Sequence, residues 1–404
     1  MEFKNRDLPD NWQLKPIREV YEFTKKPRGL IIREDKSVPF LPMAAIPIGQ
    51  VRVSVYEERI ASSLTSGTYV ENGDLLVAKI TPSFENGKQA ILDWDQPFGF
   101  ATTEVIPIKE VKGVSDKLFL FHLLLHPAIR ADLAGKMEGT TGRQRLSKDV
   151  LGTRLIPFPP LPEQTKIADV LGAVQRAMEQ QERLLSLNVE LKRAVLHQLF
   201  TRGLRGEPQK QTDLGPLPES WKVVKLGSLA NFQTGKLNSN AAKHDGKFPF
   251  FTCSQETFWI DQYAFDTEAL LLSGNNAQGI YSVKHFKGKF NAYQRTYVIT
   301  LKDETSVPYS FMHQALSRNL ERLRMLSIGT STKYLTMGVL ENLPIPMPEY
   351  DEAKNIGEQL RVLEKKREHV AQKRALLGDL FRTLLHQLIT AQIRVRDLEL
   401  KTYT

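Results

Sequence analysis

Few residues of this chain combine the type and the spacing that catalysis requires. His122 and His126 stand four positions apart, as two zinc ligands on one helical face would, but no H-E-x-x-H motif accompanies them. An apolar packing face is therefore the favoured interpretation of this pair. The sequence also has no G-x-x-x-x-G-K-[ST] phosphate loop, no G-x-G-x-x-G motif and no Asn-Pro-Pro-aromatic string of amino-methyltransferases. The sequence thus predicts a chain with no catalytic, cofactor or metal site.

One faint pattern of the P-D…E-x-K kind, found in nucleases, is formed by Pro9-Asp10 and Glu34-Asp35-Lys36. The Leu-Pro-acidic part of it returns at Glu219, and in both places a tryptophan follows two residues later. A structural turn before the tryptophan explains this recurrence better than a nuclease site does.

The overall charge and the cysteine content restrict the partners and the compartment. The net charge is +9 and the isoelectric point about 9.3, which favours a polyanionic partner or an acidic protein surface. A lysine-rich surface without such a partner is an equal alternative. Cys253 is the only cysteine, so an internal disulfide is excluded and a reducing cytosol is indicated. The charged start MEFKNRDLPD is no secretory signal and the apolar run Leu118–His126 is too short for a bilayer, which predicts a cytoplasmic chain without membrane contact.

The chain contains the same segment twice, at an offset of 189 residues. Val195–Phe200 (VLHQLF) returns as Leu384–Ile389 (LLHQLI), and 17 of the 54 positions from Leu146 to Leu199 are identical at this offset. Unrelated sequences would agree at about 6% of positions, so the repeat is not accidental. A second match, Leu8–Trp12 with Leu217–Trp221, has an offset of 209. The segments between the matches differ in length and share little, which indicates two variable domains alternating with two repeated segments.

The repeated segments are predicted to be helices of roughly 40 residues, an unusual length for a globular protein. Proline and acidic residues at Pro162 and Pro348 favour helix starts, and Gly203 favours a stop. Apolar residues follow coiled-coil spacing in both helices. They are Ile356, Leu363, Val370, Leu377 and Leu384 with Leu360, Phe381 and Leu388 in the second helix, and Ile167, Val174 and Val195 with Val170, Ala177, Leu184 and Leu191 in the first.

Two polar residues, Gln181 and Asn188, interrupt the seam of the first helix. Either they set the register at some cost in stability, or they face solvent. We expect the two helices to pair with each other in antiparallel orientation, as a rod that holds two domains apart.

The variable segments are typical of mixed α/β domains. Strands are predicted at Gly73–Ile80 and Thr102–Ile108, and in corresponding places at Glu268–Gly274 and Gln294–Leu301. Helices are predicted at Leu118–His126, continuing past Pro127, and at Ser310–Leu326. The polar string Gln209–Pro216 is predicted to be a linker.

This organisation resembles the specificity subunit of type I restriction–modification enzymes. The string GTTGRQRLSKDVLGTRLIPFPPLPEQTKIADVL (139–171) resembles that family's boundary between a recognition domain and a spacer helix. The LPESW that follows DLGP resembles the family's entry into its second recognition domain, and AQIRVRDL (391–398) resembles its C-terminal end. The resemblance extends over nearly the whole chain; it is specific in the repeats and weak inside the variable domains.

The resemblance implies a non-catalytic subunit for DNA recognition. Each variable domain would be a target recognition domain that reads one half of a bipartite site in double-stranded DNA. The helices would set the unread spacer and dock two methyltransferase subunits, which bind S-adenosylmethionine and methylate adenine at N6. Motor–endonuclease subunits, using ATP and Mg²⁺, would complete the assembly, while this chain would bind no cofactor.

The expected fold class is α+β: two globular mixed α/β target recognition domains separated by two long antiparallel coiled-coil helices, with an internal pseudo-twofold repeat. The expected boundaries are 1–160 for the first recognition domain, 161–205 for the first spacer helix, 206–216 for the linker, 217–347 for the second recognition domain and 348–404 for the second spacer helix with the C-terminal segment.

The candidate DNA contacts are forked or small polar side chains in loop strings, since forked groups read base edges and cations bind phosphates. The candidates of the first domain are Lys79, Thr81, Ser83, Asn86, Lys88, Thr141, Arg143, Gln144 and Arg145. Those of the second domain are Ser273, Asn275, Asn276, Gln278, Lys284, Gln294, Arg295, Ser331, Thr332, Lys333 and Tyr334. The two Gly-Thr strings can also be turns before short helices, with Ser147 and Thr336 as N-caps.

Two functions of other classes remain open from the sequence. A coiled-coil scaffold with two docking domains predicts no salt-dependent DNA binding. A nuclease acting alone predicts metal-dependent cleavage by the isolated chain, and the empty motif search disfavours it.

Overall fold

The computed structural model describes residues 8–64, 66–140, 142–277 and 279–397. The chain divides into two compact units. Unit 1 comprises residues 1–184 and 371–404, and unit 2 comprises residues 185–370. Each unit therefore contains one variable segment, part of the first long helix and part of the second.

Unit 1 begins with short strands and ends in the first long helix. Its strands are β1 (Gln13–Pro16), β2 (Tyr21–Phe23), β3 (Ser37–Leu41), β4 (Arg52–Val53), β5 (Glu57–Ile60), β6 (Thr68–Glu71), β7 (Leu75–Ala78), β8 (Gln89–Leu92), β9 (Phe98–Ala101), β10 (Val105–Glu110), β11 (Glu138–Thr140), β12 (Arg143–Arg145) and β13 (Leu155–Phe158). Its helices are α1 (Ile17–Val20), α2 (Lys117–Leu125), α3 (Pro127–Ala134), α4 (Lys148–Thr153) and the start of α5 (Leu161–Arg202), with 3-10 turns at Met43–Ala45 and Ala61–Ser63.

Two sheets form the body of unit 1. One has the strand order β2-β10-β7-β8-β4 and the other the order β5-β3-β9-β6. One face of the first sheet packs on α2 and α3 through residues such as Leu75, Ile106 and Phe119. The opposite face forms a second apolar cluster that includes Leu76 and Trp94. The alternation of Leu75 and Leu76 between the two clusters is the period of a strand that is buried on both faces.

Unit 2 repeats this plan with a different sheet. Its strands are β14 (Gln209–Thr212), β15 (Gly215–Pro218), β16 (Lys222–Lys225), β17 (Ala230–Thr234), β18 (Phe248–Phe251), β19 (Phe258–Ile260), β20 (Phe265–Ser273), β21 (Asn275–Asn276), β22 (Val283–Ala292), β23 (Thr296–Leu301), β24 (Lys333–Tyr334) and β25 (Pro344–Met347). Its helices are α6 (Leu226–Leu229), α7 (Tyr309–Arg318), α8 (Leu320–Leu326), α9 (Met337–Glu341) and the start of α10 (Tyr350–Ile389), with a 3-10 turn at Ser239–Ala241; a further 3-10 turn, Val395–Asp397, follows α10 in unit 1.

A single six-stranded sheet, in the order β17-β23-β20-β22-β18-β19, forms the body of unit 2. Its core contains Phe200 from the end of α5, Trp221 and Phe311 from α7, and the ring centroids of Phe200 and Phe311 lie 5.3 Å apart. The predicted strands of both variable segments are confirmed, since β7 pairs with β10 and β20 pairs with β23, both antiparallel.

Both predicted mid-domain helices are interrupted, contrary to expectation. The first stops at Leu125, and His126 has the extended ψ of 123° before α3 starts at Pro127. The cause is Pro127, because a residue before proline is excluded from the helical region. The second helix is broken at Asn319, between α7 and α8.

The polar string expected to be a linker is instead an antiparallel hairpin, with Gln209 paired to Pro218 and Thr212 to Gly215. Thr212 stabilises its turn because its hydroxyl donates to the carbonyl of Gly215 at 2.8 Å. Gly215, with φ +88°, adopts the left-handed backbone that such a tight turn requires.

The same tryptophan–glutamate hydrogen bond joins each variable segment to its long helix. In unit 1 the indole N–H of Trp12 donates to Glu163 in the first turn of α5 at 3.0 Å. In unit 2 the indole N–H of Trp221 donates to Glu352 in the first turn of α10 at 3.1 Å. The strand that follows each tryptophan pairs with the strand that precedes the long helix. These strand pairs, β1–β13 and β16–β25, have the same register. The sequence repeat is therefore a repeat of tertiary contacts within each unit, which confirms the predicted internal repeat.

The long helices are 42 and 40 residues long and antiparallel, as predicted. In unit 1, Glu163 at the start of α5 contacts Arg394 beyond the end of α10, whereas Glu182, farther along α5, contacts Arg374, farther back in α10. In unit 2, Lys192 pairs with Glu364 at 2.6 Å. Gly203 ends α5 with φ +63°, as its identity predicted.

The polar interruptions of α5 face inward, so the interpretation that they face solvent is wrong. Gln181 is 7% exposed and Asn188 is 6% exposed. Their predicted apolar neighbours Leu184 and Leu191 lie outside instead, at 43% and 48% exposure. The buried seam of α5 is therefore the predicted line of Ile167, Val174 and Val195, while the later part of the companion stripe is exposed.

Candidate nucleic-acid interface

In unit 1 the structure brings two candidate strings together at the end of β7. Ile80 forms an antiparallel bridge with Arg145. The backbone N–H of Thr81 donates to Gln144 at 3.0 Å, and the N–H of Leu146 donates to Lys79 at 2.7 Å. We call the paired segments 79–81 and 144–146 the first joint. The predicted N-cap after it is confirmed, since the Ser147 hydroxyl accepts the N–H of Val150 at 3.1 Å.

Unit 2 builds the same joint from the other two strings. Asn275 pairs with Tyr334 and Asn276 with Lys333, and the N–H of Leu335 donates to Gly274 at 2.8 Å. We call segments 274–276 and 333–335 the second joint. The N-cap predicted at Thr336 is also confirmed. Strings that lie about 60 residues apart in the sequence therefore form one edge in each unit.

A buried arginine, Arg130, holds the loop that follows β7. Arg130 donates to the carbonyls of Phe84 and Leu124, both at 2.6 Å, and to the side chain of Gln89 at 3.0 Å. Burial lowers the pKa of Arg130 to about 10. These bonds fix the backbone of residues 82–88 and leave the candidate Asn86 exposed on it. Arg130 has no signal in the sequence beyond its position on an apolar helix.

Cations are concentrated around the first joint. Burial lowers the pKa of Lys148, and the nearby charges of Lys79 and Lys25 lower it further. Arg143 is exposed on β12. Lys148, Lys79 and Lys25 are thus neighbouring cations, a grouping suited to phosphates. Lys25 was missed from the sequence because it lies far along the chain from both strings, and Lys148 because it belongs to the helix that follows the second string.

Arg145 differs from Arg143 in having a carboxylate partner. Its Nε lies 2.9 Å from Glu104 Oε2, and its Nη2 lies 2.7 Å from Glu104 Oε1. The fork-to-fork contact lowers the pKa of Glu104 and raises that of Arg145. Half of the Arg145 side chain remains exposed, at 48%.

The second joint has no such acid–base pair. The N–H of Lys79 donates to the carbonyl of Glu104, and in the same place the N–H of Gly274 donates to the carbonyl of Arg295. Arg295 is therefore the counterpart of Glu104, and Tyr334 is the counterpart of Arg145 in the 189-residue repeat. Both are exposed, as are Ser331 and Thr332, while Gln144 in the first joint and Asn275, Asn276 and Lys333 in the second are half-buried.

Several candidates have polar groups that other parts of the chain occupy. Lys88 donates to the carbonyl of Met43 at 2.7 Å, and Gln294 donates to Asn238 at 2.7 Å. Lys284 donates to two carbonyls, at 2.7 Å and 3.1 Å, and burial lowers its pKa. These three side chains are better suited to shaping loops than to contacting a ligand.

Ser273 and Thr81 correct the sequence interpretation more strongly. Ser273 is 2% exposed, and its hydroxyl accepts the N–H of Ser282 at 2.7 Å, so it belongs to the core of unit 2. The hydroxyl of Thr81 is buried, with no hydrogen-bond partner in the described part of the chain. Ser83 is half-buried, and its carbonyl accepts the N–H of Lys88 at 3.0 Å. Thr141 and Gln278 lie outside the described residues.

The histidine pair belongs to an apolar face, as the sequence indicated. His122 is fully buried, and neither ring nitrogen has a hydrogen-bond partner among the described residues. His126 lies 3.1 Å from His386, Nε2 to Nδ1. In the described ranges, no group of three or more His, Cys, Asp or Glu residues could hold a metal ion. Asp35 of the nuclease-like pattern is instead paired with Arg33 at 2.7 Å.

No described helix is both long enough and apolar enough to cross a membrane.

Comparison with known sequences gives two matches along the chain. The family model described as "Type I restriction modification DNA specificity domain" matches residues 9–188 and again residues 218–377. The EcoDI specificity subunit of Escherichia coli, a type I restriction enzyme subunit, is 40% identical over 149 residues, which are 37% of this chain and 32% of that protein. A putative MjaX specificity subunit of Methanocaldococcus jannaschii is 22% identical over 410 residues, covering 96% of this chain and 95% of that protein.

Comparison with solved structures supports the fold. The S subunit of a type I restriction–modification system from M. genitalium matches with a TM-score of 0.68 at 16% identity, covering 96% of this chain and 98% of that chain. The similarity of fold extends over both units, although few residues are shared.

Proposed function

We propose a function from one premise: the chain belongs to the type I restriction modification DNA specificity family. In this proposal the chain is the DNA sequence-recognition subunit of a type I restriction–modification system. Each unit reads one half of a bipartite site in double-stranded DNA.

The observation that carries the proposal is the joint that is built twice with different side chains. Matching backbone hydrogen bonds hold the first and second joints at the end of β7 and of β20. The side chains on them differ, with Arg145 and Glu104 in one and Tyr334 and Arg295 in the other. A conserved backbone that presents variable polar groups is what two readers of different base sequences require.

Two equal docking positions for a protein partner are supported by exposed leucines on the long helices. Leu187 and Leu191 stand one turn apart on α5, each 48% exposed. The repeat places Leu376 and Leu380 at the same positions of α10, at 67% and 45% exposure. What singles these leucines out is that they recur at the same positions of both helices, since a small apolar patch that occurs twice fits two copies of one partner. We propose that two methyltransferase subunits dock here.

Catalysis and cofactors are assigned to the partners in this proposal. The methyltransferase subunits would bind S-adenosylmethionine and methylate adenine, and motor–endonuclease subunits would use ATP and Mg²⁺. The chain itself would be non-catalytic and would act in the cytoplasm, where the cellular DNA is accessible.

The test is a domain exchange read by methylation mapping. Cells carrying this chain with its methyltransferase subunit should show N6-methyladenine at one bipartite motif. Exchanging residues 217–348 for the corresponding segment of another family member should change one half of that motif and leave the other half intact. A change in both halves, or methylation that does not depend on this chain, would contradict the proposal.

The scaffold alternative makes a different prediction in the same system. A scaffold with two docking domains would support assembly without affecting which bases are methylated.

The Arg143→Ala variant tests DNA binding by this chain directly. If Arg143 contacts a phosphate, the variant should bind DNA more weakly at every sequence and with a flatter salt dependence.

A further inference from the structure

The Glu104–Arg145 pair at the first joint has a geometry that leaves one edge of the guanidinium unused. Glu104 accepts from Nε at 2.9 Å and 3.1 Å and from Nη2 at 2.7 Å, which is the side edge of the fork. Nη1 donates no hydrogen bond to the described residues. The end edge, formed by Nη1 and the second proton of Nη2, therefore points away from the acid on a side chain that is 48% exposed.

The pair is not a requirement of the repeated fold. The second joint makes the same backbone hydrogen bonds without it, since Arg295 stands in place of Glu104 and Tyr334 in place of Arg145. Both units thus form the joint, but only the first combines it with a fixed arginine. An element that varies while its scaffold stays constant is a candidate for specificity rather than for stability.

The chemistry of the unused edge identifies a base. Two parallel N–H donors at the end of an arginine match the N7 and O6 acceptors of guanine in the major groove. A carboxylate on the side edge fixes the guanidinium plane beforehand and reduces the rotamer entropy that binding must overcome. Lys79, whose charge acts on Glu104, and Lys148, three residues after Arg145, are cations of the kind that bind phosphates beside a base contact.

We propose that Glu104 positions Arg145 to read a guanine in one half of the DNA site. The inference rests on the proposed function and goes beyond it by naming a base and a positioning residue. Glu104 does not contact the DNA in this scheme; it acts through Arg145. The second joint, which has no such pair, reads its half-site by other contacts.

The test uses the assembled complex of this chain with its methyltransferase subunits and duplexes that carry the mapped motif. Each guanine of the motif is replaced in turn by 7-deazaguanine, which removes only the N7 acceptor. At one guanine of one half-site, this replacement should weaken DNA binding by the unmodified complex. A complete bidentate base contact corresponds to about 5- to 150-fold in affinity, which is the upper limit for the loss of one acceptor. The Arg145→Ala complex should bind the native duplex more weakly and should not distinguish 7-deazaguanine from guanine at that position.

Two further variants distinguish a positioning role of Glu104 from a purely structural contact between Glu104 and Arg145. Arg145→Lys keeps the charge without the fork, so it should keep its salt dependence and respond less strongly to 7-deazaguanine. Glu104→Gln should reduce that response while adenine becomes tolerated at the position. Glu57→Gln is the matched control, because Glu57 forms the same kind of exposed contact with Arg59 in unit 1. This control should keep the full response.

The other half-site verifies that each variant is folded and assembled, since a base change there must weaken every complex equally. An identical 7-deazaguanine profile for the unmodified, Arg145→Ala and Arg145→Lys complexes would overturn the guanine assignment while leaving the proposed function intact. A Glu104→Gln complex with the full response would overturn the positioning role. A complex that does not prefer the motif over scrambled DNA would overturn the proposed function itself.

Discussion

At the scale of single residues, burial decides what each polar group can do. Ser273 and Arg143 belong to equally polar strings, yet Ser273 is enclosed in a core and Arg143 is open to solvent. The same rule applies to titratable groups. Burial, with a smaller contribution from Arg176, lowers the pKa of His122 to about 3. Burial and the neighbouring His386 lower the pKa of His126 to about 4.

The first prediction concerns stability in acid. Because the folded-state pKa of His122 lies below its unfolded value of about 6.5, its contribution is complete above pH 6.5 and is lost as the pH falls toward 3. His122→Leu should remove this loss and the burial of two unpartnered ring nitrogens. The variant's gain in free energy of unfolding over the natural chain should therefore depend on pH. This gain should be about 2 kcal/mol larger at pH 5 than at pH 7.

The measurement is chemical unfolding of both proteins at pH 7 and pH 5. His126 stays in both, so the acid dependence of the variant should become shallower without disappearing. Equal pH slopes for the two proteins would contradict the assignment of His122 as neutral and buried.

Residue types in the sequence identified which strings matter but not which side chains face outward. The four strings of the two joints were found because turn residues and forked polar groups cluster in them. That Glu104 fixes Arg145 could not be found, since 41 residues separate them and only the pairing of the tertiary structure brings them together. Lys25 was missed for the same reason.

At the scale of elements, the repeat places different residues at equivalent seam positions. Gln181 and Asn188 are buried in α5, whereas α10 has Val370 and Leu377 at the corresponding positions. The Oδ1 atom of Asn188 is buried without a partner among the described residues. An unsatisfied amide oxygen costs about 1–3 kcal/mol. The polar residues of α5 thus reduce stability, and polar seam residues can specify register in return.

The second prediction concerns the replacement of Asn188 by leucine, the residue that occupies the corresponding position of α10. Asn188→Leu should raise the free energy of unfolding by about 1–2 kcal/mol, because an orphaned amide is replaced by an apolar side chain in a buried seam. Thermal unfolding of the chain measures the change. Asn188→Asp is the comparison, since it should lower stability; a Leu variant less stable than the natural chain would contradict the seam that the structure shows.

The third prediction concerns the exposed leucines. Leu187→Glu with Leu191→Glu should abolish one of the two docking positions, and Leu376→Glu with Leu380→Glu should abolish the other, because a charge cannot be buried in an apolar interface. Mass measurement of the assembled complex should give one methyltransferase subunit for either double variant and none for the quadruple variant.

Exposed apolar residues elsewhere on the same helices provide the control. Val362 on α10 is 62% exposed but has alanine, not leucine or valine, at its counterpart in α5, so Val362→Glu should leave two subunits bound. Two subunits in the quadruple variant would show that the docking surface lies elsewhere.

The repeat and the periodicity of the helices were enough to predict their length, their pairing and the seam of Ile167, Val174 and Val195 in α5, but not that the companion residues Leu184 and Leu191 stay exposed. A period of seven fits several neighbouring stripes of a long helix about equally well when leucines are abundant. The structure buries Gln181 and Asn188 on the seam and leaves Leu184 and Leu191 exposed. Polar residues in a seam are the cases for which a sequence pattern leaves a buried and an exposed position equally open.

At the scale of the whole molecule, the repeat makes each unit a mixture of both halves of the sequence. Unit 1 takes its variable segment from the start of the chain but needs residues 371–404 to complete it, and Arg394 closes on Glu163 at 2.7 Å. Unit 2 takes both helix segments from the middle of the chain. The two long helices are thus common to both units, and their length is the property by which we expect them to set the DNA spacer.

The last prediction lengthens both helices by the same amount at facing positions. The contact between Glu182 and Arg374 shows that these residues face each other in the antiparallel pair. Four residues inserted after Glu182 and four after Lys373, which leave both exposed leucine pairs intact, should add about one turn, or 6 Å, to each helix. Since a base pair rises about 3.4 Å, the spacer of the methylated motif should grow by one or two base pairs. Seven residues in each helix, about 10 Å, should add about three base pairs and keep the heptad phase.

Methylation mapping of the lengthened variants decides the outcome, with the half-site bases as the internal control. Those bases should not change, because neither joint is touched by the insertions. A four-residue insertion in α5 alone is the matched comparison, since it shifts one helix against its unchanged partner and should lower stability rather than lengthen the spacer cleanly. Active paired variants that retain the original spacer would refute the role of the helices as a ruler. A spacer that grows in proportion to the inserted length would instead tie the gap in the DNA site directly to the 1.5 Å rise per residue of two paired helices.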